Sequence, residues 1–246
     1  MEKVFFEIHS GNPREGPGDF ASTQKAFVLM ADLSAKPAIM DIGCGPGKQT
    51  LDLLTLTEGT VIAVDNHQPY IDRLNEQAAD RGLQDRVTAV NGDMFHLDFN
   101  AESFDVIWSE GAIYIIGFEK GLKTWRPLLK KKGYLAVTEA TWLKAGPPDT
   151  LNKFWAEGYP GMQDIQGNLS TIKRCGYVLI DHFTLPESAW WDDYYNSILK
   201  RLKALEEKYK DIAAALEVIE AEKIEIDLYR EYSEYYGYVF YVMQRM

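Results

Sequence analysis

Three glycines at alternate positions, Gly43, Gly45 and Gly47, follow a short apolar run at residues 38–42 and precede a segment with helical spacing. A buried strand, a tight glycine turn and a helix start allow the backbone to approach a nucleotide-like ligand closely. The common dinucleotide-binding pattern, counted from Gly43, requires its third glycine at position 48, where this chain has a lysine. The spacing therefore predicts a nucleotide-type site that differs from the usual dinucleotide site.

One aspartate precedes the glycine turn in the sequence and another follows it. Asp41 lies two positions before the first glycine, and Asp65 ends a second apolar run at residues 61–64. The two oxygens of a carboxylate at the tip of a strand can accept hydrogen bonds from both hydroxyls of a ribose. Asp65 is therefore a candidate ribose ligand, with a helix N-cap as the alternative role.

The Asp-x-Gly-x-Gly-x-Gly pattern from Asp41 to Gly47 resembles that of the class I S-adenosylmethionine-dependent methyltransferases. The similarity covers about residues 36–142 and implies a site for S-adenosylmethionine. It also implies that Asp93 contacts the adenine amino group and that Met94 packs along the ring. The cofactor-binding residues that follow from the resemblance are Asp41, Gly43, Cys44, Gly45, Gly47, Asp65, Asn66, Asp93, Met94 and Ser109.

Two further phrases, at residues 108–117 and 187–191, are similar to a bacterial subgroup of small-molecule methyltransferases. The core is also similar to the quinone-biosynthesis C-methyltransferases and to the glycine/sarcosine-type N-methyltransferases. This resemblance implies transfer of a methyl group to a small-molecule acceptor by in-line displacement. It does not fix the acceptor atom, which can be nitrogen, oxygen, sulfur or carbon.

Glu110 and Tyr114 follow the predicted fourth strand, at the place where the transferred methyl group points in this family. Methyltransferases that act on the amino group of adenine or glutamine carry an Asn/Asp-Pro-Pro-Tyr/Phe motif there, and its absence argues against those substrates. Both residues are candidate catalytic residues. Glu110 is predicted either to act as a general base or counter-charge, or to hold the backbone near the ligand.

Aromatic residues concentrate after the strand tips and in the segment 186–236. That segment has apolar residues at helical spacing, and its register slips around Lys223, so we expect two helices or one docked helix. Its predicted role is a substrate cap, with a dimerisation arm of a homodimer as the alternative. The candidate residues of the substrate wall are Trp142, Trp155, Tyr159, Trp190, Trp191 and Tyr195.

The order of the predicted elements indicates an α/β fold with a Rossmann-like, seven-stranded, mostly parallel sheet, an antiparallel last strand and helices on both faces. Residues 36–185 form the core, residues 186–236 the helical insertion and residues 237–246 the closing strand. Residues 1–35 are predicted as a loop and a helix, either a flap over the ligand or an arm packed on the sheet. Residues 130–133 are predicted as the basic last turn of a helix.

The composition narrows the class of partner. The 246-residue chain has a formal net charge of -11, which argues against a nucleic-acid partner and favours a neutral or cationic small molecule. Two cysteines and four scattered histidines argue against a disulfide framework and a metal site. We see no leader and no apolar run that could span a bilayer, so we expect a cytoplasmic protein without a membrane partner.

Two other functions stay open on the sequence alone. A non-catalytic S-adenosylmethionine-binding or assembly module would use the same glycine turn, with residues 186–236 as its partner surface. A nicotinamide-dependent oxidoreductase also places an acidic residue after its second strand. The position of Gly47 and the preceding Asp41 count against that last function.

Overall fold

The structure is a computed structural model that describes residues 2–246. Its helices, in chain order, are α1 (Glu2–His9), α2 (Phe20–Val28), α3 (Lys48–Leu56), α4 (Gln68–Asp80), α5 (Ile113–Ile116), α6 (Phe118–Trp125), α7 (Asp149–Gly158), α8 (Ile165–Arg174), α9 (Ser188–Trp190), α10 (Asn196–Lys208) and α11 (Ala213–Tyr232). None of these helices is long and apolar enough to cross a membrane.

One sheet runs through the described chain. Its strands are β1 (Ala38–Ile42), β2 (Thr60–Asp65), β3 (Val87–Asn91), β4 (Phe104–Ser109), β5 (Leu129–Trp142), β6 (Gln163–Asp164), β7 (Tyr177–Thr184) and β8 (Tyr236–Arg245). The order is β3-β2-β1-β4-β5-β8-β7, and the two-residue β6 pairs with β5 outside this path. All pairings are parallel except those of β8 with β5 and β7. The predicted fold class is confirmed, with β6 as one small addition.

The central strands are apolar because helices cover both faces of the sheet. In β1, every residue from Ile39 to Ile42 is buried, and β4 is buried from Val106 to Ser109. β1 lies between β2 and β4, so the chain leaves β1 on one side of the sheet and reaches β4 on the other. The carboxyl ends of strands at such a reversal enclose the usual ligand crevice of open α/β sheets.

The N-terminal region contains one more helix than the sequence indicated, because α1 begins at Glu2. Val4 and Ile8 of α1 are buried, and α1 packs against α10 and α11 of the insertion. α2 begins where the Asp19 carboxylate accepts a hydrogen bond from the Ser22 backbone N–H at 2.7 Å. The residues between α1 and α2, which we call the N-terminal arm (residues 10–19), cross the carboxyl edge of the sheet.

The insertion forms two helical segments, and the second returns the chain to the sheet. α9 continues through a π-helical turn at Trp191–Tyr195 into α10, and α11 returns to the sheet. The break between the two segments lies at residues 209–212, so the slip predicted around Lys223 does not interrupt a helix. Lys223 lies within α11, where its ammonium group pairs with Glu206 of α10.

The interpretation of residues 130–133 as a helical turn is wrong. α6 ends at Trp125, a short 3₁₀ turn follows, and Leu129 already begins β5. The reason is strand pairing with β4, in which Leu129 pairs with Phe104 and Tyr134 with Val106, and Lys130 Nζ also binds the Asp105 carboxylate at 2.8 Å. Lys132 adopts a φ of 61° in the bulge that this pairing leaves in β5.

Candidate functional site

A cavity of about 250 Å³ lies at the carboxyl ends of β1 to β4, and we call it the glycine-turn cavity. It brings together most of the predicted cofactor residues from three different loops. The predicted residues on its wall are Gly43, Cys44, Gly45, Asp65, Asn66, Asp93 and Met94. The two candidate catalytic residues also line it, Glu110 from the loop after β4 and Tyr114 from α5.

The glycine turn has the left-handed backbone that its sequence requires. Gly45 has a φ of 52° and Gly47 a φ of 91°, a region that residues with a Cβ rarely adopt. A Cβ on Gly47 would stand 2.3 Å from Leu74 of α4, so this glycine permits close packing of α4. A Cβ on Gly45 would enter the cavity and stand 3.3 Å from Glu15 Cγ. Gly45 therefore permits close approach of the N-terminal arm at the cavity wall, whereas Gly47 lies behind the wall.

Asp65 connects the second strand to the glycine turn. Its Oδ2 accepts a hydrogen bond from the Gly45 N–H at 2.9 Å, and its Oδ1 accepts one from the His67 N–H at 2.9 Å. His67 is the residue that caps α4, so Asp65 does not fill the N-cap position of that helix. The carboxylate lies on the cavity wall, as the ribose prediction requires.

Asp93 and Met94 border the cavity after β3. Asp93 accepts hydrogen bonds from the Phe95 N–H at 2.9 Å and from His96 Nδ1 at 3.0 Å. The Trp125 indole donates to the Met94 carbonyl oxygen at 3.1 Å, which fixes that segment against α6. The exposed Asp93 carboxylate and the Met94 side chain thus form one edge of the cavity.

Two predicted cofactor residues lie beneath the cavity instead of on its wall. Asp41 is fully buried, and its Oδ2 accepts a hydrogen bond from the Thr50 hydroxyl at 2.5 Å. Burial raises the pKa of Asp41 to about 7. The Ser109 hydroxyl donates to the Ile42 carbonyl oxygen at 2.8 Å. Both residues therefore support the ends of β1 and β4.

Glu110 belongs to a buried network with the N-terminal arm. Its Oε2 accepts a hydrogen bond from Arg14 Nη1 at 2.6 Å. Its Oε1 accepts from the Thr23 hydroxyl at 2.7 Å and from the Trp108 indole at 2.9 Å. Arg14 also pairs with Asp52 at 3.2 Å. Because both oxygens of Glu110 are occupied by donors, this geometry favours its role in holding the backbone over a role as a general base.

A second cavity of about 220 Å³ adjoins the first, and we call it the aromatic cavity. Three of the predicted substrate-wall residues line it: Trp155, Tyr159 and Trp190. The two cavities share five wall residues, namely Phe5, Glu15, Gly16, Pro17 and Tyr114. Tyr114 and the N-terminal arm therefore lie between the two cavities and form part of the wall of each.

The other three predicted wall residues lie elsewhere. Trp142 lines a separate depression beside α8. Trp191 lies outside both cavities, with the Arg230 guanidinium 5.3 Å from its ring centre. Tyr195 is fully buried and donates its hydroxyl to Glu225 Oε1 at 2.9 Å, so it stands behind the wall.

The sequence did not predict the four residues of the aromatic cavity that have acidic or imidazole side chains: His9, Glu15, Glu222 and Glu225. His9 is buried, with Nδ1 3.2 Å from Glu15 and Nε2 3.5 Å from Glu222. Burial acts to lower the pKa of His9, but the two carboxylates raise it to about 9. In the sequence these residues gave no signal, since they are single charged residues on α1, the arm and α11.

Comparisons with known proteins agree with this architecture. Residues 39–133 match the sequence model of the methyltransferase domain family. The sterol 24-C-methyltransferase of Debaryomyces hansenii is 28% identical over 116 residues, which are 47% of this chain and 30% of that protein. The chain spans less than half the length of the curated relatives that it matches first.

Solved structures share the fold over the whole described chain. A methyltransferase from Geobacter sulfurreducens, in complex with S-adenosyl-L-homocysteine, has a TM-score of 0.83 at 19% identity and covers 100% of this chain and 99% of its own. A methyltransferase from Thiobacillus denitrificans, in complex with the same molecule, has a TM-score of 0.83 at 17% identity with the same coverage. At these identities the likeness concerns the fold.

The reversal in strand order and the glycine turn above a cavity define a nucleotide-binding α/β domain of the Rossmann-like type. The match to a family model narrows the class of protein from nucleotide-binding domains in general to methyltransferase domains. Residues 39–133 match a methyltransferase domain, which confirms the resemblance of the pattern from Asp41 to Gly47 to the class I S-adenosylmethionine-dependent methyltransferases.

Proposed function

We propose that the protein is a methyltransferase of the EC 2.1.1 class that uses S-adenosylmethionine and methylates a small molecule. The observation that carries this proposal is the pair of adjoining cavities. One lies on the glycine turn and the other is walled by aromatic rings, and they meet at Tyr114 and Glu15. Group transfer between two small molecules requires two such neighbouring sites.

The residues of the glycine-turn cavity fit the cofactor. Gly43, Cys44 and Gly45 line the cavity beside Asp65, and a Cβ at Gly45 would already stand 3.3 Å from Glu15 Cγ, so a larger side chain there would narrow the space. Gly43 to Gly45 would hold the cofactor through the backbone, Asp65 would bind the ribose hydroxyls, and Asp93 and Met94 would border the adenine. When bound, S-adenosylmethionine supplies a methyl group that is released to a nucleophile while the electron pair of the broken carbon–sulfur bond stays on sulfur.

The residues of this chain would position the acceptor and exclude water. The N-terminal arm covers the junction of the cavities, and its Gly18 N–H donates to the Ala189 carbonyl oxygen of the insertion at 3.1 Å. Arg14 and Glu110 attach the same arm to the sheet. Closure of such a junction orients the reacting groups and removes competing water. We assign Glu110 and Arg14 to this positioning role and Tyr114 to the shared wall.

Calorimetric titration with S-adenosylhomocysteine tests the proposal, with NAD as the control ligand. We expect one-site binding of S-adenosylhomocysteine alone, and at least a hundredfold loss of affinity in Gly45→Val, because the side chain would fill the cavity. Gly82→Val is the matched control, since Gly82 has a φ of 67° and no atom within 4 Å of a Cβ. It shares the backbone strain of the first variant without blocking the cavity.

Other outcomes have defined meanings. Binding of NAD alone would make the protein an oxidoreductase. Binding of S-adenosylhomocysteine without methyl transfer to any acceptor of a broad panel would favour a non-catalytic binding or assembly module. The homodimer through residues 186–236 and the cytoplasmic location stay predictions from the sequence.

A further inference from the structure

The aromatic cavity contains more negative than positive charge. Glu15 reaches it from the N-terminal arm, and Glu222 and Glu225 reach it from one face of α11, three positions apart. His9 is its cation, held between Glu15 and Glu222. Of the described residues that line the cavity, none is a lysine or an arginine. One histidinium therefore faces three carboxyl groups.

Some of these carboxylate oxygens lack a hydrogen-bond donor among the described residues. Glu222 is 8% exposed, and its Oε1 has no partner, nor has Oε1 of Glu15. A buried carboxylate oxygen without a donor carries a large desolvation cost. A ligand that brings N–H groups and a positive charge would remove that cost, whereas a ligand with a carboxylate or phosphate would add to it.

Glu225 has a different environment from Glu222. Its Oε1 accepts the hydrogen bond of Tyr195, and its side chain lines the cavity. Burial and the neighbouring charge of Glu222 raise the pKa of Glu225 to about 7. A carboxyl group in this range can take up a proton at neutral pH and release it again.

Aromatic faces complete the wall. Trp190 stacks on Tyr229 at 4.0 Å and lies 5.1 Å from Tyr238, which holds its ring in place. Trp155 and Tyr194 line the same space. Electron-rich ring faces attract organic cations, and the attraction is strongest where water is excluded. The aromatic rings and the carboxylates of this small cavity therefore both favour a cationic ligand.

We infer that the acceptor is a compact amine without acidic groups, which enters the aromatic cavity as an ammonium ion and gives its proton to Glu225. The inference rests on the function proposed above. In this step one N–H bond breaks and the proton moves to a Glu225 carboxylate oxygen. The nitrogen keeps the electron pair and becomes a neutral amine, while the carboxylate becomes a carboxylic acid. At about 220 Å³ the cavity is smaller than the roughly 300–1,000 Å³ typical of drug-sized ligands, so the amine must be small.

Two sets of matched probes test the inference. The first set is 2-phenylethylamine, 2-phenylethanol and phenylacetate, and the second is cyclohexylamine, cyclohexanol and cyclohexanecarboxylate. Each set keeps the apolar body and changes the charge from positive to zero to negative. Binding is followed by the indole N–H signals of Trp155 and Trp190 in NMR titrations of the full chain, with and without S-adenosylhomocysteine. We expect each amine to bind at least tenfold more tightly than its alcohol, and the carboxylates not to bind.

Variants connect the preference to the named carboxylates. Glu222→Gln and Glu225→Gln should each weaken amine binding at least tenfold and leave alcohol binding and S-adenosylhomocysteine affinity unchanged. Glu217→Gln is the matched control, because Glu217 lies exposed on the same helix. Equal binding of amines and alcohols, binding of the carboxylates, or unchanged amine affinity in both glutamine variants would overturn the inference. So would the absence of amine binding to a protein that binds S-adenosylhomocysteine. Failure of S-adenosylhomocysteine to bind, with the amine preference retained, would instead overturn the proposed function.

Discussion

The two adjoining cavities are built in different ways. One side of the glycine-turn cavity consists of residues at the ends of β1, β2, β3 and β4, and α1 and the N-terminal arm close its other side. The aromatic cavity consists mainly of side chains from α1, the N-terminal arm, α7 and the insertion, with Tyr114 of α5 and Ala140 and Tyr238 of the sheet. The strand-end side of the first cavity depends on local turn geometry. The second cavity depends more on how distant segments pack against the sheet.

The N-terminal arm is the part that both cavities share, and it is held from two sides. Arg201 of α10 donates to the Asn12 side-chain oxygen, and Arg73 of α4 donates to the Asn12 carbonyl oxygen at 2.8 Å. Arg14 reaches down to Glu110 and Asp52. The arm thus joins the sheet to the insertion, and a substitution in the arm tests whether the two cavities bind their ligands independently.

The largest expected effect follows from Arg14→Ala. Glu110 is buried and Arg14 is its ion-pair partner, so removal of Arg14 leaves a buried charge without a cation, whereas Asp52 keeps Lys48 at 2.6 Å. We expect the free energy of unfolding to fall by about 3–5 kcal/mol in urea titrations, and both ligands to bind more weakly. The control is Arg230→Ala, whose ion pair with Asp227 is exposed and should contribute less than about 1 kcal/mol. Equal effects of the two substitutions would show that the arm is not held by this network.

The same division explains what the sequence could predict. The sheet, Gly43 to Gly45 and Asp65 follow from apolar runs and a turn with local spacing, and Asp93 and Met94 follow from the family resemblance of that pattern. Arg14 and Glu110 are 96 positions apart in the sequence, and no local sequence pattern predicts their contact. Pairing of Leu129 and Tyr134 with strand β4 is likewise a long-range contact, and it explains why the helical interpretation of residues 130–133 is wrong. The carboxylates of the aromatic cavity were missed because each is an ordinary surface-type residue until the packing encloses it.

Two neighbouring tryptophans allow a direct test of which residues form the wall of the aromatic cavity. Trp190 lines the aromatic cavity and Trp191 does not, although the sequence predicts both as wall residues. We expect Trp190→Leu to weaken binding of 2-phenylethylamine about tenfold through loss of the aromatic face, and Trp191→Leu to change it less than about twofold. S-adenosylhomocysteine affinity serves as the control and should stay constant in both. A reversed order of the two effects would place the acceptor outside this cavity.

The smallest effect concerns Tyr195, which stands behind Glu225. Its hydroxyl donates to the Glu225 carboxylate and so lowers the pKa that burial and Glu222 raise. Without this hydrogen bond, in Tyr195→Phe, the pKa of Glu225 should rise further above about 7. Since amine binding needs the carboxylate form, it is present above this pKa and is lost as the pH falls through it. We expect the midpoint of that loss to move up by about one pH unit, equivalent to about 1.4 kcal/mol, in NMR titrations from pH 6 to 8.5.

Stability provides an independent measure of the same change. The folded state holds the Glu225 proton more tightly than the unfolded state, whose glutamate has its ordinary pKa of 4.5. The contribution of Glu225 to stability is therefore highest below that ordinary value, declines as the pH rises towards about 7, and is constant above. In Tyr195→Phe the decline should continue to a higher pH, while amine affinity at pH 8.5 stays close to that of the unaltered chain. A purely structural role of Tyr195 would instead weaken binding equally at every pH, and that result would remove Glu225 from the acceptor site.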